Sequence, residues 1–376
     1  MLLDLLTGRH REPAECVITV SGQEITDLYP FLTEVRVETS RERAATASLR
    51  FDSRRDEQGR WTVQDAGVFM PWEEIVIEAA FGSEREEIMR GFIREVSADY
   101  PESAGDATVT VACQDESLAL DREHRRVSWG ADQPTSDQLI LSTIASDHGL
   151  TPHSDSATGQ DGLVLNQDAT DIRFLRERAE ANGYELIFRE GEIYFGPMRV
   201  DAGPQETILV YAGPDTHCTR FSVNADGHRP DRVVVQLAAT EGDSVAEHTV
   251  DPDLPGMGNQ SADSSSSGLR DFAWRMSRQG GRNESEMIAR AQRQANENAM
   301  KLRSRGELDG SLYGHVLLVG LPVAVDGIGD TYNGTYYVDQ VSHRFSIDGY
   351  RQNFQLLRNA YGDNVESAGN VLAGIL

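Results

Sequence analysis

The feature that most constrains this sequence is a series of short segments in which apolar and polar residues alternate. Six of them occupy the first 120 residues, each bounded by Gly, Pro, Asp or Ser: 16–22, 33–40, 45–52, 73–82, 89–101 and 106–115. Alternation of this kind is typical of β-strands that bury one face. Six such strands between turns predict an antiparallel β-barrel or sandwich.

A helical period then replaces the alternation. Residues 136–150 predict a helix capped by Ser136. Residues 168–183 predict a second helix, with Thr170 or Asp171 as its cap and a glycine at its end. Two short strands follow, turned at Glu190-Gly191. This small α+β module has little apolar surface of its own, so we expect it to sit on a barrel.

Strand-like segments resume and are then interrupted. Residues 241–283 lack periodicity and are rich in Pro, Gly and Ser, which predicts an extended surface loop or a disordered insertion. An Ala-rich stripe predicts a helix at 285–308, and strands return after it. The predicted units are a first barrel at 1–125, an α+β module at 126–202, a second, discontinuous barrel at 203–240 and 306–362, a flexible insertion with its helix at 241–305, and a tail at 363–376.

Charge and composition exclude several classes of protein. The formal net charge is −26, and Lys301 is the only lysine, so we expect no specific nucleic-acid binding. No stretch approaches the roughly 20 apolar residues of a membrane span, and no secretory signal is recognisable. Cys16, Cys113 and Cys218 are widely spaced and odd in number, which predicts free thiols and a reducing compartment.

Catalytic and metal-binding patterns are weak. His148, His153 and Asp155 are near one another but lack helical metal-ligand spacing, so no metal, cofactor or catalytic residue is predicted. His315 and His343 lie in strand-like segments, where packed or interface histidines are commoner than bases. Because Asp and Glu are so abundant, the sequence leaves open a glycosidase-like carboxylate pair.

Two groups of side chains have alternative interpretations. The arginines of the second helix, Arg173, Arg176 and Arg178, form either salt bridges to an acidic neighbouring subunit or, as we favour, a solvated face. The four tryptophans are either interface anchors or core residues. They are Trp61, Trp72, Trp129 and Trp274, and Trp72, after Pro71, is predicted to pack in the core.

Three segments, taken in order, resemble the late control D family. Its members include the baseplate hub of contractile phages and the hub part of the valine-glycine repeat spikes of type VI secretion. The segments are DIRFLRERAEANGYELIFREGEIYFGP (171–197), HRPDRVVVQ (228–236) and GTYYVDQVSHRFSIDGYRQNFQLLRN (334–359). The preceding Ala-rich helix also stands where the family has one. The resemblance extends over about residues 10–360.

The resemblance implies a fold and a role. Hubs of the family have two tube-protein-like β-barrels per chain, so three chains form a six-barrel ring that adapts a six-fold tail tube to a three-fold spike. The implied partners are two further copies, a tail-tube or tube-initiator protein, a central spike protein, and wedge and tape-measure proteins. From the negative charge we expect an acidic channel. We expect assembly in the bacterial cytoplasm and a final place in a virion or injection-particle baseplate.

Some expectations depend on the end of the chain. No OB-like module, β-helix repeat or catalytic domain follows residue 376, so a separate spike polypeptide is expected. The apolar tail is a candidate spike-facing interface, through Val371, Leu372, Ile375 and Leu376; a frayed terminus is the other interpretation. Two other functions stay open, a cell-wall-degrading tail enzyme and a receptor-binding β-protein.

Overall fold

The computed structural model describes residues 13–102, 107–237, 246–263, 269–277 and 283–365. Within these ranges the protein is mainly β, with twenty-three strands and five α-helices. The mainly β class expected from the alternating segments is therefore confirmed. No helix in the described ranges is long and apolar enough to span a membrane.

The first part of the chain forms seven antiparallel strands. They are β1 (Glu15–Val20), β2 (Gln23–Glu24), β3 (Leu32–Ser40), β4 (Thr46–Ser53), β5 (Glu74–Phe81), β6 (Glu84–Asp99) and β7 (Ala107–Asp115). Six of them coincide with the six alternating segments. Every second residue points into one core, which contains Ile18, Val35, Leu49, Ile77 and Val111.

The α+β module follows. Its elements are α1 (Ser117–Leu120), β8 (His124–Trp129), α2 (Asp137–Asp147), β9 (Thr151–Pro152), β10 (Leu165–Thr170), α3 (Asp171–Asn182), β11 (Glu185–Arg189) and β12 (Glu192–Gly196). Ser136 caps α2 through its hydroxyl, as predicted. The second predicted helix starts only at Asp171, because residues 165–170 pair with β8. Glu190 and Gly191 both have positive φ angles in the predicted hairpin turn.

The later strands complete the large sheet. They are β13 (Gln205–Leu209), β14 (Cys218–Ala225), β19 (Leu302–Asp309), β20 (Pro322–Asp326), β21 (Gly334–Ser346) and β22 (Gly349–Arg358). The short helix α5 (Gly310–Tyr313) lies between β19 and β20, and β23 (Ala360–Tyr361) follows β22 but is not part of the large sheet. The expected strand at 312–325 forms only from Pro322. The apolar run before it is not a strand, because side chains satisfy its backbone: Leu317 N donates to Gln352 Oε1 and Leu318 N to Gln205 Oε1, both at 2.8 Å.

The insertion is more ordered than its composition predicts. It contains β16 (Ala246–Val250), β17 (Gln260–Ser261), β18 (Ala273–Met276) and α4 (Glu284–Ala299), and β15 (Arg232–Leu237) comes just before it. Among the described residues, β16, β15 and β18 form a small sheet that packs on α4. The small side chains of Ala291 and Ala295 allow Val233 and Val235 to approach the helix closely. This packing removes β15 from the predicted second barrel.

The predicted helix at 285–308 is wrong in its second half. Helix α4 ends at Ala299, and residues 302–309 form β19, paired with β14 on one side and β22 on the other. Two complete ladders of backbone hydrogen bonds outweigh the intrinsic helix preference of a segment this short.

One hydrogen-bonded path joins the two strand sets, in the order β14–β19–β22–β21–β3–β4–β7–β6–β5–β1–β2. The sets meet where β3 pairs with β21. Each half covers a core of its own, and the second contains Val338, Val341 and Phe354. The described strands do not close into the two predicted barrels, because β3 and β21 use their edges to join the halves.

Candidate assembly surface

The central sheet has a polar side. Eight neighbouring strands, from β14 to the second half of β6, turn every second residue away from the two cores, and we name this surface the central sheet face. Its members are Arg220, Ser222 and Asn224 on β14; Arg303, Arg305, Glu307 and Asp309 on β19; Arg351, Asn353 and Gln355 on β22; Gln340, Ser342 and Arg344 on β21; Glu34, Arg36, Glu38 and Ser40 on β3; Thr46, Ser48, Arg50 and Asp52 on β4; Thr108, Thr110, Ala112 and Gln114 on β7; Glu95, Ser97 and Asp99 on β6.

The charges on this face balance. Seven of the members just named are arginines and seven are carboxylates, so the formal charge of the face is zero, whereas the whole chain carries −26. Ala112 is the only apolar member. The remaining members are hydroxyl and carboxamide side chains, so the surface is hydrophilic without being strongly acidic.

Paired charges occupy the middle of the face. Arg344 Nε lies 2.5 Å from Glu34 Oε1, and Arg36 approaches the same oxygen at 3.4 Å. The hydrogen bond from Arg344 lowers the pKa of Glu34. Arg351 and Asp309 form a further ion pair at 2.8 Å. The Arg344–Glu34 pair therefore joins β21 to β3 across the junction of the two halves, and the Arg351–Asp309 pair joins β22 to β19 within one half.

Unpaired charges occupy the two ends of the face. At the β14 end, Arg220, Arg303 and Arg305 have no carboxylate partner among the described residues. At the β6 end, no cationic side chain among the described residues pairs with Asp52, Glu95 or Asp99. This opposite charge at the two ends is not evident from the sequence. Alternate residues of 217–227 carry part of the signal, but the helical stripe predicted over 285–308 hides the contribution of 302–309.

A buried guanidinium joins the modules behind the face. Arg41 follows β3, and its side chain is 2% exposed. Its Nη1 donates to Glu185 on β11 at 2.6 Å and to Glu297 on α4 at 2.9 Å, and its Nε donates to Asp339 on β21 at 2.9 Å. Burial by itself lowers the pKa of Arg41, but the carboxylates raise it above its ordinary value. One side chain therefore fixes four elements.

The arginines of α3 divide between two roles. Arg173 and Arg176 are exposed, which agrees with a solvated face. Arg178 is buried and donates to Asp137 at 2.7 Å, with Glu286 of α4 at 3.3 Å. The solvated-face interpretation is therefore wrong for Arg178, whose partners lie within its own chain. Its position on the α4 side of the helix accounts for the difference.

The histidines hold structural positions. His148 Nε2 lies 2.9 Å from Asp171 Oδ2, and His153 accepts a hydrogen bond from the backbone of Asp155. No group of His, Cys, Asp and Glu suited to a metal occurs in the described ranges. His343 is buried against the hydroxyl of Tyr350, and burial lowers its pKa to about 3. His315 is exposed beside Glu86.

One small groove holds several carboxylates. Its volume is about 150 Å³, below the roughly 300–1,000 Å³ of common ligand pockets. Three acidic residues of its lining, Glu87, Asp115 and Glu185, already accept hydrogen bonds within the chain. Glu87 and Glu185 thereby join the first strand set to the α+β module, and Asp115 holds the backbone of Ala45 within the first set.

Glu116, next to this groove, is a buried carboxyl group with a raised pKa. It is 7% exposed. Burial, and then the nearby charge of Glu87, raises its pKa to about 8, although Arg90 acts in the opposite direction. A buried carboxyl group of this kind is protonated near neutral pH and does not face a ligand-sized cleft.

The tryptophans differ in environment. Trp129 is partly buried, donates to Gln167 and stacks on Phe174. Trp61 packs against Tyr100. Trp72 is 47% exposed, and the guanidinium of Arg122 lies above its ring. The predicted core position of Trp72 is therefore wrong, because its positive φ turns the side chain outward. Trp274 is exposed on β18.

The proposed spike-facing residues lie outside the described residues. They are Val371, Leu372, Ile375 and Leu376. The last described segment is anchored: buried Arg358 donates to the backbone carbonyls of Met257, Tyr332 and Gly362. The last described residues therefore lie next to residues 257–259 of the insertion.

Comparison with known proteins identifies both a family and a fold. The family described as the Alg8 N-terminal domain matches residues 11–346. No curated protein matches the chain.

Solved structures of tail proteins share the fold. The 43 kDa tail protein of prophage MuSo2 from Shewanella oneidensis superposes with a TM-score of 0.68 at 11% identity, over 92% of this chain and 98% of that one. A tail protein from Neisseria meningitidis gives 0.63 at 12% identity, over 93% and 97%. An E. coli type VI secretion component, described as similar to T4 tail proteins, gives 0.53 at 11% identity, over 93% and 78%. The chain is similar to these proteins in fold.

Proposed function

This chain belongs to the Alg8 N-terminal domain family, and we propose that it is a structural baseplate hub of a contractile phage tail or phage-like injection system. The fold shared with phage tail proteins and a type VI secretion component supports the general role. Membership of the late control D group, which the three sequence segments resemble, is part of the proposal.

The observation that carries the proposal is one continuous sheet over two separate cores. Four strands on each side of the β3–β21 junction contribute to the central sheet face. A chain that presents two similar β units can form six units from three copies, which matches a six-fold tube with a three-fold assembly. We therefore propose a trimeric ring.

In this ring the central sheet face forms the channel wall. Its hydroxyl, carboxamide and paired charged side chains have no large apolar patch to hold a passing polymer. The channel wall proposed here has no net charge, which differs from the acidic channel expected from the sequence. The excess of negative charge belongs to the other surfaces, where it opposes nonspecific nucleic-acid binding.

The partners follow from the ring geometry. One rim binds the tail tube or its initiator, and the other binds the central spike, with wedge and tape-measure proteins around them. The apolar residues at 371–376 are proposed to contact the spike. The protein is assembled in the bacterial cytoplasm and ends in the baseplate of the particle.

Mass measurement tests the ring. Purified protein, alone and with the tail-tube protein, is studied by light scattering. We expect about three times the 41.5 kDa of one chain. A stable monomer under both conditions, with no binding to the tube protein, contradicts the proposal.

We also propose that the hub has no enzymatic activity. Zymography on peptidoglycan tests the competing cell-wall hydrolase. We expect no clearing by the wild type at pH 5 or pH 8. Clearing that is lost in Glu116→Gln would support an enzyme, because burial raises the pKa of Glu116 to about 8, within the range of a general acid.

A further inference from the structure

The central sheet has two open backbone edges. Strand β14 pairs only with β19, and the second half of β6, residues 95–99, pairs only with β7. In the described part of the chain no other strand covers either edge. An open edge of a long strand offers unpaired N–H and C=O groups to another chain.

The charges beside the two edges have opposite signs. Arg220, Arg303 and Arg305 lie on the last two strands at the β14 edge, and all three are exposed. Glu95 and Asp99 lie on β6, and Asp52 lies in register with Asp99 through Thr108. Each edge also has one charge of the opposite sign, Glu307 and Arg50 respectively.

Most other charges on the face already have partners. The pairs Arg344–Glu34 and Arg351–Asp309 neutralise its middle, as described above. The six edge charges have no such partners among the residues that the structure describes, and all six lie on paired strands. Complementary charges separated in this way steer two surfaces together and fix their orientation.

We propose that the β14 edge of one copy docks against the β6 edge of the next copy, so that Arg220, Arg303 and Arg305 face Asp52, Glu95 and Asp99. This inference rests on the proposed function, because it names the partner of each edge in the ring. The contact joins two different surfaces of identical chains, and such a head-to-tail interface generates a closed ring when its rotation permits.

Charge reversal tests the docking. The basic-edge variant is R220E/R303E/R305E, the acidic-edge variant is D52R/E95R/D99R, and the swapped variant combines all six changes and keeps the net charge. R173E/R176E on the exposed side of α3 is the control. Circular dichroism and thermal unfolding first establish that each variant folds.

The expected result is specific to the edges. Each single-edge variant self-associates at least about tenfold more weakly than wild type at low salt, measured by light scattering. The swapped variant regains self-association but does not form mixed oligomers with affinity-tagged wild type. The control assembles normally, and salt weakens the wild-type contact.

Two kinds of failure are distinguishable. If folded single-edge variants retain the wild-type trimer mass, the edge inference is wrong and the trimeric hub stands. If the wild type is monomeric with and without tube protein, the proposed function itself fails. Mixed oligomers of swapped and wild-type chains also overturn the inference, because like charges would then meet at their edges.

Discussion

At the scale of single residues, buried charges rather than catalytic groups organise this protein. Arg41 is the strongest example, because three carboxylates from three elements surround its guanidinium. Burying a guanidinium costs free energy, and removing it would leave its carboxylate partners buried without a counter-charge, which costs more. No sequence pattern marks this role, since a buried arginine after a strand cannot be distinguished in sequence from an exposed one.

Replacement of Arg41 tests this role. Arg41→Met leaves Glu185 buried without its cation, so we expect the free energy of unfolding to fall by about 3–5 kcal/mol. Arg36→Met, five residues earlier and half-exposed, is the matched control, with an expected change within about 0.5 kcal/mol. Urea unfolding followed by circular dichroism measures both. Equal effects in the two variants would contradict the account.

Glu116 predicts a pH dependence with a definite sign. Its pKa is about 8 in the folded chain and near the ordinary 4.5 in the unfolded chain. Between these values the unfolded chain ionises first, so the contribution of Glu116 to stability falls as pH rises from about 4.5 to about 8 and is constant outside that window.

The variant Glu116→Gln isolates this contribution. We expect it to be more stable than wild type at pH 8 by about 1–3 kcal/mol, with a smaller difference near pH 4.5. Chemical denaturation at several pH values gives the comparison. A stability difference that does not depend on pH would show that Glu116 is not protonated in the fold.

At the scale of elements, periodicity identified the strands but not their partners. The six early strands are predictable because each buries one face. Helix α2 is predictable from its Ser136 cap and α3 from its apolar stripe and the glycine that ends it. Strand β19 is not predictable in this way, because residues 302–309 also fit a helical stripe. Only the pairing with β14 and β22 makes this segment a strand. The sheet of β15, β16 and β18 was hidden by the turn-rich composition between its strands.

Strands β6 and β7 approach each other closely at Gly91, which makes this residue sensitive to substitution. A Cβ atom on Gly91 would lie 2.0 Å from the backbone oxygen of Gln114 on β7. We expect Gly91→Ala to lower the free energy of unfolding by about 2–4 kcal/mol, since the strands must separate. Gly203→Ala, with open space around it, is the control and should change stability by less than about 1 kcal/mol. Thermal unfolding that ranks the two variants in the opposite order would refute this.

At the scale of the whole molecule, the distribution of charge is more informative than its sum. The net charge of −26 predicts an acidic channel, whereas the central sheet face has no net charge and carries an excess of arginine at one end and of carboxylates at the other. A sum over the sequence contains no information on which residues share a face. That information came from the register of eight strands that are distant in sequence.

The most direct test of the central claim is a cryo-electron microscopy reconstruction of the assembled ring. Our account predicts three copies around a channel whose wall is formed by β14, β19, β22, β21, β3, β4, β7 and the second half of β6 of each copy. A ring with a different number of copies, or one in which the central sheet face points outward, would contradict it.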